Sequence, residues 1–272
     1  MDANDLSFDL ENARRAASRV VSIGATFKPG SPPGVASLLR LGGGSSALID
    51  VRANDAGEPL GLWLTAAHVL DATANWGLVE FFDADGRAPR HGIAFVIARD
   101  VKRDVAAFFA NFPTKGDVAK PFRISTRRVE PGSLLYGLGW GESTFGDVFM
   151  GISGRAYARF ASREIREACL GKTVNEDELP FDFDAPHWEW ADVPVRPGDS
   201  GGPVLDAQTG ELVGIRSGGF GPTPSDRSPS AYRIGALHSL KSCYYSTFES
   251  EFVAAARSIF ATKIATKPYR FD

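Results

Sequence analysis

The chain has 272 residues and a formal net charge of −3, a balance that gives no electrostatic basis for binding nucleic acid. Hydrophobic residues make up 43% of the sequence and charged residues 23%, which predicts a sizeable buried core in one large domain or two small ones. No uncharged apolar run reaches about 18 residues, so we expect no membrane-spanning helix and no membrane partner.

The first residues and the cysteine content bear on the cellular compartment. Segment 1–19 is acidic first and basic later, so it lacks the basic-then-apolar order of a secretory signal. The sequence contains two cysteines, Cys169 and Cys243, and we expect both to be reduced thiols. Both features favour the cytoplasm, because disulfides are rare in that reducing compartment, while a secreted mature form written without its signal stays open.

The first half of the chain predicts a short helix followed by regularly spaced short strands. Apolar residues at helical spacing, separated by charged residues, predict an amphipathic helix within residues 6–19. These apolar residues are Leu6, Leu10, Ala13 and Ala17. After a Pro/Gly-rich loop, β-branched and aromatic runs predict strands at 35–41, 45–52, 60–66, 77–83 and 91–98. Short strands at this spacing are typical of a β-barrel.

The second half repeats this pattern. Residues 113–121, PTKGDVAKP, predict the crossing to a second set of strands. Those strands are expected near 133–138, 147–158, 193–195, 203–205, 211–217 and 231–236. Residues 172–192 are acidic and irregular, which predicts a long surface loop.

The clearest helix is predicted at residues 246–261. Ser246 and Glu249 have the spacing of a capping box, which is typical of a helix start. An apolar stripe follows, made of Phe248, Phe252, Ala255, Ala256, Ile259 and Phe260. We expect this stripe to pack on the body of the protein, with binding to a partner as the alternative.

Three short segments carry the chemistry. Residues 198–203 read GDSGGP, and residues 65–70 and 103–108 read TAAHVL and RDVAAF. A serine hydroxyl needs a base to take its proton and donors to hold the oxyanion that forms. Glycines around Ser200 allow the sharp turn that would aim the N–H groups of Gly198 and Ser200 into one oxyanion hole. His68 and Asp104 supply a base and an acid in the other two segments.

The three segments together resemble the chymotrypsin-fold (trypsin-like) serine proteases. Gly139–Gly141, reading GWG, and LVGIRSGG at 212–219 extend the resemblance to roughly residues 35–245. Residues 45–70 and 197–203 also resemble the HtrA-type branch, so the sequence lies between the chymotrypsin-like and HtrA-type branches. The resemblance implies an all-β fold of two six-stranded antiparallel β-barrels with a C-terminal α-helix, to which the sequence adds the short N-terminal helix.

This resemblance divides the chain into four parts. Residues 1–27 form an N-terminal helical extension and residues 28–116 the first barrel, which carries His68 and Asp104. Residues 117–245 form the second barrel with Ser200, and residues 246–272 form the C-terminal helix and tail.

The resemblance also implies a role for each residue in an endopeptidase that needs no metal or cofactor. Ser200 would form an acyl-enzyme with a protein or peptide substrate, His68 would act as general base and then acid, and Asp104 would orient His68. Asp100 competes for that last role, but the apolar run after Asp104 predicts a buried strand, whereas Asp100 precedes a charged segment. Ser217 is expected to add a hydrogen bond to Asp104.

Substrate recognition is expected at residues 216–219. Ser217, Gly218 and Gly219 would offer an open strand edge to an extended peptide. Pro194 stands where enzymes that cut after Lys or Arg carry Asp, which argues against that specificity. A cation at Arg216 would favour an acidic residue before the cut, unless its side chain turns to solvent, in which case an apolar preference stays open.

Activation is the remaining question. In the family, a cut after a basic residue frees an amino terminus that pairs with the acid before the nucleophile, which is Asp199 here. Arg19–Val20 invites that comparison, while the simpler interpretation is a helix running into a strand. If no cut occurs, Asp199 needs another partner. Two alternatives to a constitutively active endopeptidase therefore stay open. One is a silent binding module, and the other is a self-processing or partner-gated protease with one dedicated substrate, as in intracellular bacterial relatives. We expect a bacterial source.

Overall fold

The computed structural model describes residues 8–26, 37–70, 76–81, 90–101, 103–127, 129–130, 132–143, 146–155, 188–191, 198–220, 242–246 and 250–271. Across these residues the chain is mostly β-strand, with a short α-helix near its start and another α-helix near its end. No helix in this part of the chain is long and apolar enough to cross a membrane.

Eight strands form the first sheet, and neighbouring strands run antiparallel. They are β1 (Arg19–Thr26), β2 (Ser37–Ser45), β3 (Ala47–Ala53), β4 (Pro59–Thr65), β5 (Trp76–Phe81), β6 (Arg90–Asp100), β7 (Val105–Asn111) and β14 (Lys267–Pro268). Their order across the sheet is β14-β3-β4-β7-β6-β5-β1-β2. The sheet exceeds the expected six strands because β1 comes from the predicted N-terminal extension and β14 from the predicted C-terminal tail.

Six described strands form the second sheet, again with antiparallel neighbours. They are β8 (Leu134–Ser143), β9 (Gly146–Arg155), β10 (Trp188–Ala191), β11 (Pro203–Asp206), β12 (Leu212–Phe220) and β13 (Ser242–Ser246), in the order β10-β13-β12-β11-β8-β9. One buried hydrophobic cluster contains residues of both sheets, among them Trp63 of β4 and Leu138 of β8. The two sheets therefore share a continuous core where they meet.

Two strands of the second sheet, β10 and β13, are not predicted from the sequence. The expectation of an irregular loop over 172–192 is wrong at β10, because the backbone of residues 188–191 pairs with β13. In this pairing Trp188 lies opposite Ser246 and Ala191 lies opposite Cys243. This pairing is long-range, so no local pattern predicts it. The strands expected at 193–195 and 231–236 lie outside the described residues.

The N-terminal helix, α1 (Leu10–Ala16), is shorter than its predicted range. The Asp9 side chain caps it by accepting the Asn12 backbone N–H at 3.0 Å, and Ala13 and Ala16 face the core. The small buried side chains let the helix lie close against the body, as the amphipathic pattern predicts.

The C-terminal helix, α2 (Ser250–Ile259), continues into a π-helical turn over Phe260–Ile264. The predicted start at Ser246 is wrong, because Ser246 belongs to β13, where sheet pairing overrides the local capping pattern. Val253, Ala256 and Phe260 are buried in the shared core, so α2 packs on the body as expected. The buried face differs from the predicted stripe, because Ala255 is exposed and Val253 is buried instead, while Phe248 lies outside the described residues.

Replacing Trp63 with alanine is expected to lower the free energy of unfolding by about 3–5 kcal/mol. Its indole is fully buried, stacked on Phe108 with ring centroids 6.3 Å apart and edge-on to Phe81 at 5.9 Å. Truncation would remove these contacts and leave a cavity, and urea denaturation of both proteins measures the loss. Trp63→Phe is the control. It keeps a ring and removes an indole N–H that has no hydrogen-bond partner among the described residues. An equal loss in both variants would argue against the packing explanation.

Candidate active site

His68 lies just beyond the end of β4, in a single 3-10 turn formed by Ala67–Val69. The flanking residues Ala67 and Val69 are buried and fix the turn to the core. The imidazole itself is 46% exposed, so one side of the ring is held by the protein while the other can meet a ligand.

The buried Asp104 carboxylate orients His68 through two contacts. Oδ1 accepts the backbone N–H of His68 at 2.9 Å, and Oδ2 accepts the Nδ1–H of the same residue at 2.7 Å. The hydroxyl of Ser217 donates a further hydrogen bond to Oδ2, as expected from the sequence. Because an ionised carboxylate only accepts, this arrangement puts a proton on Nδ1 and leaves Nε2 of a neutral imidazole free to act as a base.

The backbone of Asp104 is strained. It lies between β6 and β7 with φ +50°, in the left-handed region that non-glycine residues seldom adopt. Such a conformation costs about 1–3 kcal/mol and persists only where the surroundings impose it. The contacts of the carboxylate with His68 and Ser217 are such an imposition, so the fold holds this acid in place at an energetic cost.

Asp100, the competing acid, has a different role. It ends β6, and its carboxylate accepts from the Arg103 guanidinium at 2.5 Å and from the Arg103 backbone N–H at 3.0 Å. The structure therefore places Asp104, and not Asp100, against the imidazole.

The turn over residues 198–202 depends on two glycines. Gly198 and Gly201 have φ values of +90° and +87°. A residue with a side chain would be strained in this backbone conformation, whereas glycine adopts it readily. A Cβ on Gly201 would also lie 2.1 Å from the carbonyl oxygen of Ser45. The backbone N–H groups of Gly198 and Ser200 donate no hydrogen bond to any described residue.

Ser45, at the end of β2, is a part of the site that the sequence does not predict. Its backbone N–H donates to the Ser200 carbonyl at 2.7 Å, and its buried hydroxyl donates to the Gly198 carbonyl at 2.9 Å. The same hydroxyl accepts the backbone N–H of Trp140 at 2.7 Å. This one residue therefore fixes the 198–202 turn against both sheets. A serine after three glycines carries no local signal for that role.

The Ser200 hydroxyl does not reach the imidazole in this structure. Its Oγ donates to the carbonyl oxygen of Ser217 at 3.4 Å, and no hydrogen bond joins it to His68 among the described residues. Ser217 nevertheless contacts Ser200 through its carbonyl and Asp104 through its hydroxyl. His68, Asp104, Ser200 and Ser217 therefore form one cluster.

The outer part of β12 has one open edge. On the β11 side, Ile215 pairs with Pro203, and the backbone of Arg216 is hydrogen-bonded to Gly201 and Gly202. In the described part of the chain, no strand pairs with residues 217–219 on that side. On the other side, Gly218 and Gly219 pair with Tyr244 and Cys243 of β13. The predicted edge at 217–219 is thus present beside Ser200.

The structure excludes one of the two alternatives that the sequence leaves open for Arg216. Its side chain is 1% exposed, so it does not turn to solvent. One guanidinium nitrogen, Nη1, lies 3.0 Å from Oδ2 of Asp199, which is also buried. Because Asp199 already balances the positive charge, Arg216 gives less support for an acidic residue before the cut than the sequence suggests.

For Pro194 and for metal binding, the structure describes only part of the relevant residues. Pro194 lies outside them, so the specificity inferred from it stays a prediction. Within the described part, no group of three or more His, Cys, Asp or Glu side chains could hold a metal ion.

A family model described as "Trypsin-like peptidase domain" matches residues 47–215, which contain His68, Asp104 and Ser200 but neither Ser45 nor Ser217. No curated protein matches the sequence.

Several solved structures share the fold at low sequence identity. The active form of the Rv3671c protease from M. tuberculosis has a TM-score of 0.53 and 18% identity, covering 95% of this chain and 85% of that one. Its inactive form has a TM-score of 0.53 and 16% identity, covering 94% and 95%. The HtrA-type protease AlgW, solved with a decapeptide, has a TM-score of 0.55 and 17% identity, covering 94% and 68%.

Proposed function

The chain belongs to the trypsin-like peptidase family and is a serine peptidase, and from this premise we propose that His68, Asp104 and Ser200 are its catalytic triad. The observation that carries the proposal is the buried Asp104 carboxylate, which contacts His68 at both the backbone N–H and Nδ1. Two contacts from one acid set both the position and the tautomer of the imidazole. That is the orienting role which a general base of this kind needs.

The proposed reaction is hydrolysis of a peptide bond through an acyl-enzyme. Nε2 of His68 takes the Ser200 hydroxyl proton as Oγ forms a bond to the substrate carbonyl carbon. The imidazolium then gives that proton to the leaving amine as the C–N bond breaks. A water molecule, deprotonated by the same nitrogen, attacks the ester carbonyl carbon. As the C–O bond to Ser200 breaks, the imidazolium returns this proton to Oγ, which releases the acid and restores the free serine and neutral His68.

The N–H groups of Gly198 and Ser200 are the proposed oxyanion hole. Both are free of hydrogen bonds to the described residues and belong to a turn that Ser45 fixes through the Gly198 and Ser200 carbonyls. Donors that are already oriented stabilise the developing charge without reorganising during the reaction.

The Ser200 hydroxyl must leave the Ser217 carbonyl before it can react. The 3.4 Å contact is long, and a rotation about the serine Cα–Cβ bond redirects Oγ without moving the backbone. Catalytic hydrogen bonds are often absent or long until substrate binds. We therefore propose that substrate binding completes the contact between Ser200 and His68.

The proposed substrate is an extended protein or peptide segment that adds to the free edge of β12 beside Ser200. Backbone pairing of this kind tolerates many sequences. The architecture proposed to support it is a pair of β-barrels, one closed from each sheet, with the triad at the seam between them.

A fluorophosphonate probe tests the proposal directly. It should label the wild-type protein once, at the tryptic peptide that contains Ser200, because only an activated hydroxyl in a formed oxyanion hole reacts with it. Intact-mass and peptide mass spectrometry measure the label. Ser200→Ala is the control and should take up none. Labelling that persists in Ser200→Ala would assign the reactive residue elsewhere.

A silent or partner-gated binding module is the second candidate function. The observation in its favour is the Ser200 hydroxyl, which donates to Ser217 and not to His68. This candidate predicts no labelling of the purified protein, and in the gated case labelling that begins only when a protein substrate is added.

A further inference from the structure

The acid before the proposed nucleophile is buried and needs a positive partner. Asp199 is 2% exposed, and leaving a carboxylate in such a place without a compensating charge is costly. Its position matters because the peptide that joins it to Ser200 carries one of the two proposed oxyanion donors. Whatever holds the Asp199 side chain therefore also orients that donor.

Arg216 contacts the turn over residues 198–202, called the nucleophile turn below, at three points. Its guanidinium Nη1 lies 3.0 Å from Oδ2 of Asp199. Its backbone carbonyl accepts the Gly201 N–H at 2.7 Å, and its backbone N–H donates to the Gly202 carbonyl at 2.9 Å. Side chain and backbone of this one β12 residue thus hold the turn on both sides of Ser200.

The alternative cation, an amino terminus freed at Val20, is poorly placed to compete. Val20 is fully buried in β1, where it pairs with Gly44 of β2 on one side and Val79 of β5 on the other. The preceding residue, Arg19, is 7% exposed and pairs with Glu80 at 3.1 Å. Cutting after Arg19 and moving Val20 would therefore dismantle a strand inside the first sheet.

We propose that Arg216 is a positioning residue whose buried guanidinium, through Asp199, holds Gly198–Ser200 ready to bind an oxyanion in the uncut chain. The inference rests on the proposed function of Ser200. It explains how the nucleophile turn is ordered without any amino-terminal cut, and it gives Arg216 a role in the reaction in place of one in reading the substrate.

Four variants test the inference. Arg216→Gln removes the charge at similar length, Arg216→Lys keeps it, Asp199→Asn removes the acid, and the double variant Arg216→Gln/Asp199→Asn removes both. Arg216→Gln should lower kcat and the fluorophosphonate labelling rate by about 10²–10³-fold, the usual cost of losing an oxyanion donor, with a smaller change in KM. Arg216→Lys should recover most of the loss. The double variant should be no slower than Arg216→Gln alone, because the two residues act through each other.

Arg19→Gln and Arg257→Gln are the matched controls. Arg19→Gln removes the basic residue before the possible cut, and Arg257 donates to the Ile49 carbonyl at 3.1 Å, far from the turn in sequence. Both should label at the wild-type rate, and the labelled wild-type protein should retain its full intact mass. Melting curves identify any variant that fails to fold, and Arg216→Lys keeps the test informative if Arg216→Gln does so.

Three results would overturn the inference. Wild-type labelling rates in Arg216→Gln would show that the turn needs no cation. Loss of activity in Arg19→Gln would point to the amino terminus. Unchanged kcat in Arg216→Gln together with a lost preference for acidic residues before the cut would assign Arg216 to the substrate. A wild-type protein that never labels contradicts the proposed function itself, so the two failures are distinguishable.

Discussion

Replacing Ser200 with alanine is expected to lower peptide hydrolysis by about 10⁶-fold, and His68→Ala is expected to cost about as much. The double variant should be no slower than either single one, because nucleophile and base act as a unit. Activity that remains would come from binding and the oxyanion donors at Gly198 and Ser200. Initial rates of casein cleavage, followed by release of labelled fragments, measure the three variants.

Ser125→Ala is the matched control for this prediction. Among the described residues its hydroxyl contacts Arg127 alone, donating to the carbonyl at 3.2 Å and accepting the backbone N–H at 3.3 Å. The substitution should therefore leave hydrolysis unchanged. If the loss in the double variant equalled the product of the two single losses, Ser200 and His68 would contribute independently. The triad would then be incorrect even if both residues matter.

Residues whose role depends on a short local pattern are the ones that the sequence predicts well. The segments TAAHVL, RDVAAF and GDSGGP each place one functional residue beside the small or apolar residues that its backbone needs. The sequence therefore predicts that Asp104, not Asp100, lies against His68, and the structure has this arrangement. The strands β3, β4 and β6 are likewise near their predicted positions, because their apolar runs are local too.

Features made by distant segments are the ones that the sequence misses. The pairing of β10 with β13 joins residues far apart in the chain, and so does the contact of the Ser45 hydroxyl with the Gly198 carbonyl. The ion pair of Arg216 with Asp199 shows the same limit. A cation near a substrate pocket suggests a role in specificity, and only the fold shows that a buried acid already neutralises its charge.

The substitution Asp104→Asn is expected to lower kcat by about 10⁴-fold while the fold stays intact. Asparagine tolerates the left-handed backbone that Asp104 adopts at φ +50°, and its side-chain oxygen can still accept the His68 backbone N–H. Its amide NH₂ would instead face Nδ1 of His68 or the Ser217 hydroxyl as a donor. Nδ1 would then have to accept, which moves the proton to Nε2 and removes the base.

Asp100→Asn is the control for this effect, because Asp100 pairs with Arg103 and not with His68. That substitution should change kcat little, since it weakens an ion pair with Arg103 in which both side chains are partly exposed. Stopped-assay kinetics give kcat for both variants, and urea denaturation checks that each remains folded. Equal losses in the two variants would mean that the acid acts by general electrostatics and not by fixing the tautomer. The proposed role of Asp104 requires the two losses to differ by orders of magnitude.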